Sequence, residues 1–488
     1  MEERKGFGTN FGFLMAAVGS AVGLGNIWGF PNKMGASGGF TFLVIYLVLA
    51  VLCGFIVMVG ELALGRKTRH GAVGAYKALS KKFKWMGWLG ILSAFFILFF
   101  YCALGGYCIK YTVLNIGDLF HAGFGANALA ETAAASGNSL GAEVFGAFMS
   151  SPTEAIVFGL IFVAITMIIV IGGIGGGIEK VCSVGMPALF VMLLICIIRA
   201  CTLEGAVDGL KYMFVPGWAV ANGVIEEAPG FLTVLSTAGG QMFFSLSLGM
   251  GAMITYGSYL DKKENLQKNA ILIIVMDTLV ALMAGLCVIP GRFALDPSGA
   301  LGGPKLLFVT MQNVFSRMGG FGPIFGILFY LLVVFAAVSS SISLLEVIVA
   351  HFVDKARNEG KGDMRKKYTL IAAACVGVGC ILVCADRLGD ASFTPWKLLN
   401  LPAESIRTWN DCWLDFWDML SEGIMMPLGA LLMSLMFGWE VGTDVVKEEC
   451  EASGHAMGSY GFFKVCIKYI TPLIMILILY GQIKEFFF

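Results

Sequence analysis

Apolar runs of about twenty residues recur along almost the whole chain, and they limit its fold more than any other feature. Two examples are FTFLVIYLVLAVLCGFIVMVG at 40–60 and EAIVFGLIFVAITMIIVIGG at 154–173. Each run is long enough for a helix to cross the ~30 Å hydrocarbon core of a bilayer. Only 14% of the 488 residues are charged, whereas soluble domains carry about a quarter. The sequence therefore predicts an all-α polytopic membrane protein.

Eleven membrane spans are predicted, and they are numbered 1 to 11 in chain order: 11–35, 40–65, 86–114, 153–172, 181–202, 234–260, 267–290, 322–352, 367–385, 414–438 and 464–484. Lys and Arg are concentrated in the loops 66–84 and 354–367, whereas the longer loop 118–152 contains neither. Because basic loops remain in the cytoplasm, we expect the N-terminus inside and the C-terminus outside. No small-residue cleavage site follows span 1, so we expect no removed signal peptide. The stretch 303–320 has helical periodicity and is expected to cover the outer face.

The remaining composition excludes several classes of function. The thirteen cysteines lie mostly in apolar spans and the four histidines are scattered, so neither set predicts disulfides or a metal site. The net charge is zero, which argues against a nucleic acid partner. No nucleophile, base and orienting group are grouped in the sequence, so an enzyme is not expected.

Glycine-rich stretches interrupt two of the spans, GSAVGLGNIWGFP (19–31) in span 1 and QMFFSLSLGMG (241–251) in span 6. One interpretation is close helix packing through glycines four residues apart. A nucleotide-binding glycine loop is excluded, because Trp28 replaces the third glycine and no strand precedes it. The third interpretation is an unwound helix beside a cavity. Asn26 favours this one, because an amide facing lipid is costly but is a good neutral ligand for a cation.

The two breaks lie five spans apart. Transporters built from inverted repeats place broken helices at corresponding positions of both halves, with the substrate between them. We therefore predict a single transporter domain over 1–488, with a first repeat at about 11–202, a second at about 234–438 and an additional helix at about 464–484.

Polar side chains inside other spans are further candidates. Span 8 has three consecutive serines, whose alternative role is hydrogen bonding to their own helix. Asp277, Glu61 and Glu346 are intramembrane carboxylates, and such groups are costly to bury and commonly functional. For Glu61 and Glu346, the alternative is a brace for neighbouring backbone.

Motifs along nearly the whole chain resemble those of the neurotransmitter:sodium symporter family. They are SAVGLGNIWGFP (20–31), GELALGR (60–66), GIEKVCSVGMPALF (177–190), QMFFSLSLGMG (241–251), SSSISLLE (339–346), DFW (415–417) and YITP (469–472). The resemblance is to bacterial LeuT-like amino acid transporters of the eleven-helix type. It implies a LeuT-like 5+5 inverted repeat with broken helices 1 and 6, plus an eleventh helix. It also implies a sodium-coupled symporter in the bacterial cytoplasmic membrane.

The same resemblance implies two sodium sites and a substrate site. The first sodium site would comprise Ala21, Asn26, Ser245, Asp277 and the substrate carboxylate, and the second Gly19, Val22, Ala336, Ser339 and Ser340. The substrate would contact Ser20, Ala21, Leu24, Gly25, Ile97, Tyr101, Phe244, Ser245, Ser247, Met250, Ser340 and Leu344. Oxygen ligands of this kind suit a hard cation. The pocket is mostly apolar with an adaptable thioether, so a hydrophobic or aromatic L-amino acid is the expected substrate.

The sequence departs from the family pattern near the first sodium site and at the outer gate. Asp277 stands where most relatives have asparagine, and Ala281 stands where chloride-dependent members have serine. We therefore predict chloride-independent transport, with the Asp277 carboxylate balancing sodium. Gly29 replaces the arginine that would pair with Asp415 across the outer vestibule. The outer gate must therefore close through other residues.

At the inner side, Arg4 and Asp354 match the ion pair that the family uses as a gate, and Phe7 replaces a tryptophan. Gly177 and Pro187, with nine residues between them, resemble the family signature for unwinding of span 5 toward the cytoplasm. The alternative is an ordinary helix start near 180.

Other functions stay open at the level of the sequence. The chain could carry one aromatic amino acid only, or another small zwitterion such as taurine or an osmolyte. It could also be an amino acid sensor that does not transport. The expected partners are the amino acid and the lipid bilayer.

Overall fold

The structure, a computed structural model, describes residues 7–300, 302–399 and 411–487, and these residues form helices without strands. Every predicted span coincides with a helix or a helix pair. The spans in chain order are Asn10–Ala21 with Gly25–Ala36, Phe40–Thr68, Met86–Leu119, Pro152–Ile171, Ile174–Cys201, Phe231–Ser245 with Ala252–Gly257, Leu266–Leu295, Gly322–Asn358, Arg365–Ala385, Trp413–Glu440 and Tyr460–Phe486. Within the described residues, nine single helices and the bent pair of span 1 are long and apolar enough to cross a membrane.

Shorter helices lie in the connections between spans. They are Ala72–Leu79, Ala130–Ser136, Leu140–Met149, Ala206–Phe214, Trp218–Ala221, Met311–Ser316, Pro395–Leu399 and Asp444–Glu451. The stretch predicted at 303–320 is helical over Gly303–Lys305, Leu306–Thr310 and Met311–Ser316. It packs against the end of span 1, because Asn32 Oδ1 accepts a hydrogen bond from the Gly303 N–H at 2.6 Å.

Several helices extend beyond their predicted ends. Span 3 continues to Leu119 and span 8 to Asn358, because helical hydrogen bonding can continue where the lipid-facing apolar pattern ends. Span 5 begins at Ile174 rather than at 181, and its first residues, Ile174–Glu179, form wide π-helical turns. The α-helical part begins at Lys180, as the alternative of an ordinary helix start near 180 expected, and unwinding of the segment before it stays a prediction.

Span 1 breaks after Ala21. We call its two halves 1a (Asn10–Ala21) and 1b (Gly25–Ala36), and their axes differ by 44°. Val22 has an extended backbone with φ −74° and ψ 104°, so the helix cannot continue. A Cβ at Gly23 would lie 2.2 Å from Ser340 Oγ and 2.3 Å from Tyr101 Oη. Only glycine permits this approach of the unwound backbone to spans 3 and 8.

Span 6 breaks between 6a (Phe231–Ser245) and 6b (Ala252–Gly257). Gly249 and Gly251 have φ of +79° and +77°, a left-handed conformation that glycine adopts without steric cost. Ser247 also has positive φ, at +54°, and its hydroxyl donates to the Ser20 carbonyl at 2.8 Å. This bond offsets the strain and joins the two breaks directly.

The spans form two packed groups around the breaks: spans 3, 4, 8 and 9 make up one group, and spans 1, 2, 5, 6 and 7 the other. Spans 3, 4, 8 and 9 pack against one another, while 1a lies against spans 5, 7 and 8. Half 1b contacts span 7, and 6a contacts spans 2 and 11. This arrangement places both breaks in the protein interior, between the two groups. The division into two sequence repeats stays a prediction.

Candidate functional site

Carbonyl and hydroxyl oxygens converge where 1a meets span 8. The last carbonyls of a helix lack partners within it, and here serine hydroxyls of span 8 reach them. Ser340 Oγ lies 3.2 Å from the Gly19 oxygen and 3.3 Å from the Val22 oxygen. Ser339 Oγ lies 3.2 Å from the Val22 oxygen and 2.9 Å from that of Ala336. The five residues predicted for the second sodium site thus form one cluster of oxygen atoms.

This cluster contains only uncharged oxygens. Among the residues that the structure describes, no group of three or more His, Cys, Asp and Glu side chains could hold a metal ion. Carbonyl and hydroxyl oxygens are ligands for hard cations, whereas soft or transition metals favour sulfur and imidazole. The donor set therefore fits an alkali cation.

A second polar cluster surrounds the buried carboxylate of Asp277 on span 7. Asn26 Nδ2 donates to Asp277 Oδ1 at 2.7 Å, and Ser245 Oγ donates to Oδ2 at 2.9 Å. Asn26 Oδ1 accepts from the Gly23 N–H at 3.0 Å, and its second lone pair stays available. Three residues predicted for the first sodium site are therefore in contact with one another. The fourth, Ala21, ends helix 1a.

A narrow cavity lies beside both clusters, at the level of the two breaks. Its empty volume is about 250 Å³. The lining residues are Ser20, Ala21, Gly23, Gly25, Ile97, Tyr101, Phe244, Ser247, Met250, Ser340 and Leu344. Ten of the twelve residues predicted to contact substrate are among them.

The two other predicted residues lie just outside this lining. The Leu24 N–H donates to Tyr101 Oη at 2.9 Å, so it shares a partner that faces the cavity. Ser245 instead turns its hydroxyl to Asp277. Gly23 lines the cavity although it was not predicted, and its close contact with Ser340 could not be read from the sequence.

The cavity lining combines polar and apolar groups. The polar groups include the Tyr101 hydroxyl and the first peptide groups of 1b, whose N–H groups attract negative charge. The apolar groups include Met250, Leu344 and the Phe244 ring, which lies 6.4 Å from that of Tyr101. A molecule with a carboxylate and an apolar side chain has the matching polarity.

The consecutive serines of span 8 face different partners. Ser339 and Ser340 face the carbonyls of span 1, whereas Ser341 exchanges a 2.8 Å hydrogen bond with Thr166 of span 4. Ser339 and Ser341 also donate to carbonyls of their own helix, at 2.9 and 3.0 Å. These serines therefore bond to their own helix and also contact neighbouring spans, while a role in sodium binding stays a prediction.

Glu61 and Glu346 act as braces, which is the structural alternative for both. Glu61 Oε1 accepts from the Gly249 N–H at 2.7 Å and so supports the break in span 6. Glu346 receives two hydrogen bonds from Arg365, at 2.6 and 2.9 Å, and one from Tyr259 at 2.7 Å. These contacts join spans 6, 8 and 9.

The start of span 1 is held by Glu179 of span 5. Its carboxylate accepts from the Gly8 N–H at 2.9 Å and from the Thr9 hydroxyl at 3.2 Å. A Cβ at Gly12 would lie 1.9 Å from Glu179 Oε1. The carboxylate therefore ties the wide-turn segment of span 5 to the start of 1a.

Of the predicted inner gate, Arg4 lies outside the described residues. Asp354 Oδ2 accepts from the Gly71 N–H at 3.2 Å. Phe7 packs edge-to-face against Tyr256 and Tyr259 of span 6, with ring centroids 5.8 and 6.2 Å apart. The aromatic residue at position 7 thus packs on the C-terminal end of span 6.

Sequence reasoning missed Tyr46 and Glu179. The Tyr46 hydroxyl lies 3.4 Å from Asp277 Oδ2, and the only signal for it was a phenol within an apolar run. Glu179 stands within a motif that was recognised, but its contact with Thr9 crosses 170 positions of sequence.

Comparisons with known proteins agree with this architecture. The profile described as the Sodium:neurotransmitter symporter family matches residues 4–120 and 151–394. YhdH of Bacillus subtilis, named an uncharacterized sodium-dependent transporter, is 32% identical, with 96% of each chain covered. An uncharacterized sodium-dependent transporter of Haemophilus influenzae is 29% identical over 98% of each chain.

A solved structure shares the fold. The crystal structure of MhsT in complex with L-phenylalanine has a TM-score of 0.81 and 31% identity, covering 98% of this chain and 100% of that one. Broken helices around a central cavity define a helical membrane transporter of the LeuT fold. The chain belongs to the sodium:neurotransmitter symporter family. It is therefore a sodium-dependent secondary transporter and not an enzyme.

Proposed function

We propose that this protein imports a hydrophobic or aromatic L-amino acid together with two sodium ions, without chloride. The observation that carries the proposal is the placement of the two oxygen clusters directly beside the cavity, at the breaks of spans 1 and 6. Ser340 belongs to one cluster and also lines the cavity. Sodium binding would therefore shape the substrate site, as coupled transport requires.

The two sodium ions would use the clusters differently. The second site would take the carbonyls of Gly19, Val22 and Ala336 with the hydroxyls of Ser339 and Ser340. The first site would take Ala21, Asn26, Ser245 and Asp277, and the substrate carboxylate would complete it. A ligand shared in this way makes each partner raise the affinity of the other.

The substrate is inferred from the polarity of the cavity. Its carboxylate would bind the N–H groups of Leu24 and Gly25 and the Tyr101 hydroxyl. Its ammonium would bind carbonyls at the ends of 1a and 6a, with the Ser247 hydroxyl nearby. Its side chain would lie among Ile97, Phe244, Met250 and Leu344, an apolar lining in which the thioether adapts to different shapes. The phenylalanine bound by MhsT is a ligand of this kind.

Chloride independence follows from the charge of Asp277. A carboxylate within the first sodium cluster supplies the negative charge that balances the cation in a medium of low dielectric constant. The position where chloride-dependent relatives have a serine is Ala281, a buried methyl group without hydrogen-bonding capacity. A bound anion would lack that donor here.

The membrane topology completes the proposal. The protein would lie in the bacterial cytoplasmic membrane with its N-terminus inside and its C-terminus outside, because the basic loops belong on the cytoplasmic side. In this orientation 1b and 6a form the outer halves of the site, and 1a and 6b form the inner halves.

Uptake into proteoliposomes tests the proposal. We expect labelled leucine, phenylalanine or tryptophan to accumulate when an inward sodium gradient is imposed, with chloride replaced by gluconate. A potassium gradient should give no accumulation. Competition by unlabelled leucine, tryptophan, tyrosine and taurine then ranks the substrates, and preference for taurine would overturn the substrate assignment. Sodium-dependent binding without accumulation would instead indicate a sensor.

A further inference from the structure

The residue at position 29 raises the question of what holds the outer half of span 1 closed. Gly29 has no side chain to carry a charge. A Cβ added at this position would lie 2.8 Å from Gln241 Oε1 on 6a. Gln241 Nε2 donates to the Gly25 carbonyl at 2.7 Å. Near Gly29, therefore, 1b is held to 6a by a neutral amide, and no charged group at this position can reach span 10.

One helical turn further along 1b, Lys33 forms an ion pair with Glu422 of span 10. The side chains are only 19% and 8% exposed, so most of this contact is removed from water. Glu422 Oε1 lies 3.1 Å from where a Cβ at Gly240 would be, and Gln482 Nε2 lies 3.3 Å from the same point. The carboxylate is thus enclosed by spans 6, 10 and 11, and Lys33 reaches it from span 1.

Further carboxylates face the same lysine. Asp418, one turn before Glu422 on span 10, hydrogen-bonds with the Glu422 carboxyl and is within electrostatic reach of Lys33. Glu485 of span 11 also interacts electrostatically with Lys33. A single cation therefore holds several acidic groups of two helices together. Lys33 supplies the positive charge that balances these acidic groups at a partly buried site, where electrostatic interactions are poorly screened.

We propose that Lys33 and Glu422 form the outer ion pair that holds 1b against span 10 when the site is closed to the outside. The proposal rests on the proposed function, because it assigns the closing contact of that same transport site. Both are positioning residues, since neither lines the cavity. They act through 1b, whose first residues include Leu24 and Gly25, so that moving 1b away from span 10 opens the cavity.

Hydrogen–deuterium exchange of the purified protein in sodium tests the outer ion pair without any substrate. We expect Lys33→Met to speed exchange in peptides from 24–36 and 413–425 by about tenfold to a hundredfold, the effect of losing one charged hydrogen bond. Glu422→Gln should act in the same direction but less strongly, because its amide oxygen can still accept from the lysine. Peptides from the inner halves 1a and 6b should not change.

Lys110 and Glu154 provide a matched control. They form a comparable ion pair between spans 3 and 4, with side chains 15% and 36% exposed, and neither span has a break. Lys110→Met should leave exchange in the peptides from 24–36 and 413–425 unchanged. If Lys33→Met and Lys110→Met have the same effect on these peptides, the outer ion pair is not the closing contact.

A double-mutant cycle separates a closing contact from a general loss of stability. If the two residues act through each other, Lys33→Met combined with Glu422→Gln should exchange no faster than Lys33→Met alone. Simple addition of the two effects would overturn the proposal. Amino acid uptake by the wild-type protein is a separate readout: its failure would remove the proposed function, whereas the exchange rates would still decide the ion pair.

Discussion

Replacing Ser339 and Ser340 with alanine should weaken the second sodium site severely. The two hydroxyls supply two of the five predicted ligand oxygens, and together they lie 2.9–3.3 Å from the carbonyls of Gly19, Val22 and Ala336. An interaction with a charged partner contributes about 1.5–3 kcal/mol. Each lost hydroxyl should therefore lower sodium affinity about tenfold to a hundredfold.

The loss should also limit accumulation. One sodium ion crossing ~100 mV contributes ~2.3 kcal/mol, and a tenfold gradient adds ~1.4 kcal/mol. Two ions together give roughly 7 kcal/mol, a limit of about five orders of magnitude in substrate concentration. If the double variant still cycles with one ion, its limit is the square root of that factor.

The assay is equilibrium binding of labelled amino acid against sodium concentration, followed by accumulation at steady state in proteoliposomes. Ser341→Ala is the matched control, because this neighbouring serine loses a buried hydrogen bond to Thr166 but faces no carbonyl of span 1. The control should keep the sodium dependence of the wild type. An unchanged sodium dependence in the double variant would refute the assignment of this cluster to sodium.

The first sodium site, the substrate site and the inner end of span 1 each give a further prediction. Asp277→Asn should lower chloride-free uptake about tenfold or more, because loss of the negative charge should weaken sodium binding by at least ~1.4 kcal/mol. Unchanged uptake would argue against a role of Asp277 in balancing sodium. Tyr101→Phe should raise the dissociation constant of the amino acid about tenfold, since the hydroxyl that bonds the Leu24 N–H is removed; equilibrium binding would contradict this if the affinity stayed the same. Gly12→Ala should lower the melting temperature, because the new Cβ would meet Glu179 Oε1 at 1.9 Å and turn this carboxylate away from the Gly8 N–H and the Thr9 hydroxyl, at a cost of about 1–3 kcal/mol; an unaltered melting curve would speak against this contact.

The breaks in spans 1 and 6 could be predicted because their causes are local. Several glycines lower the helix propensity in the middle of each span, and in span 1 Asn26 adds a polar group there. The structure adds which atoms use the released peptide groups, such as Ser247 donating to the Ser20 carbonyl. Most cavity residues could be located by matching family motifs, because a motif fixes the spacing between its residues, whereas composition does not.

Contacts between distant spans could not be predicted in the same way. Lys33 and Glu422 are 389 positions apart; Lys33 is a charged residue near the end of 1b, and Glu422 lies within span 10. The hydroxyl of Tyr46 reaches Asp277 across 231 positions. Hydrophobic periodicity reports which face of a helix is buried, but not which helix covers it. The sequence also placed the start of span 5 too late. Glycines are poor helix formers, yet the glycine-rich segment Ile174–Glu179 is helical in the structure.

The central claim is that the broken helices bind sodium and an amino acid as one unit. Equilibrium binding of phenylalanine to the purified protein, measured across sodium concentrations with potassium replacing sodium, tests it most directly. Sodium should raise phenylalanine affinity, and phenylalanine should raise sodium affinity by the same factor, because coupling between two sites is reciprocal. Equal affinity for phenylalanine in sodium and in potassium would contradict the claim.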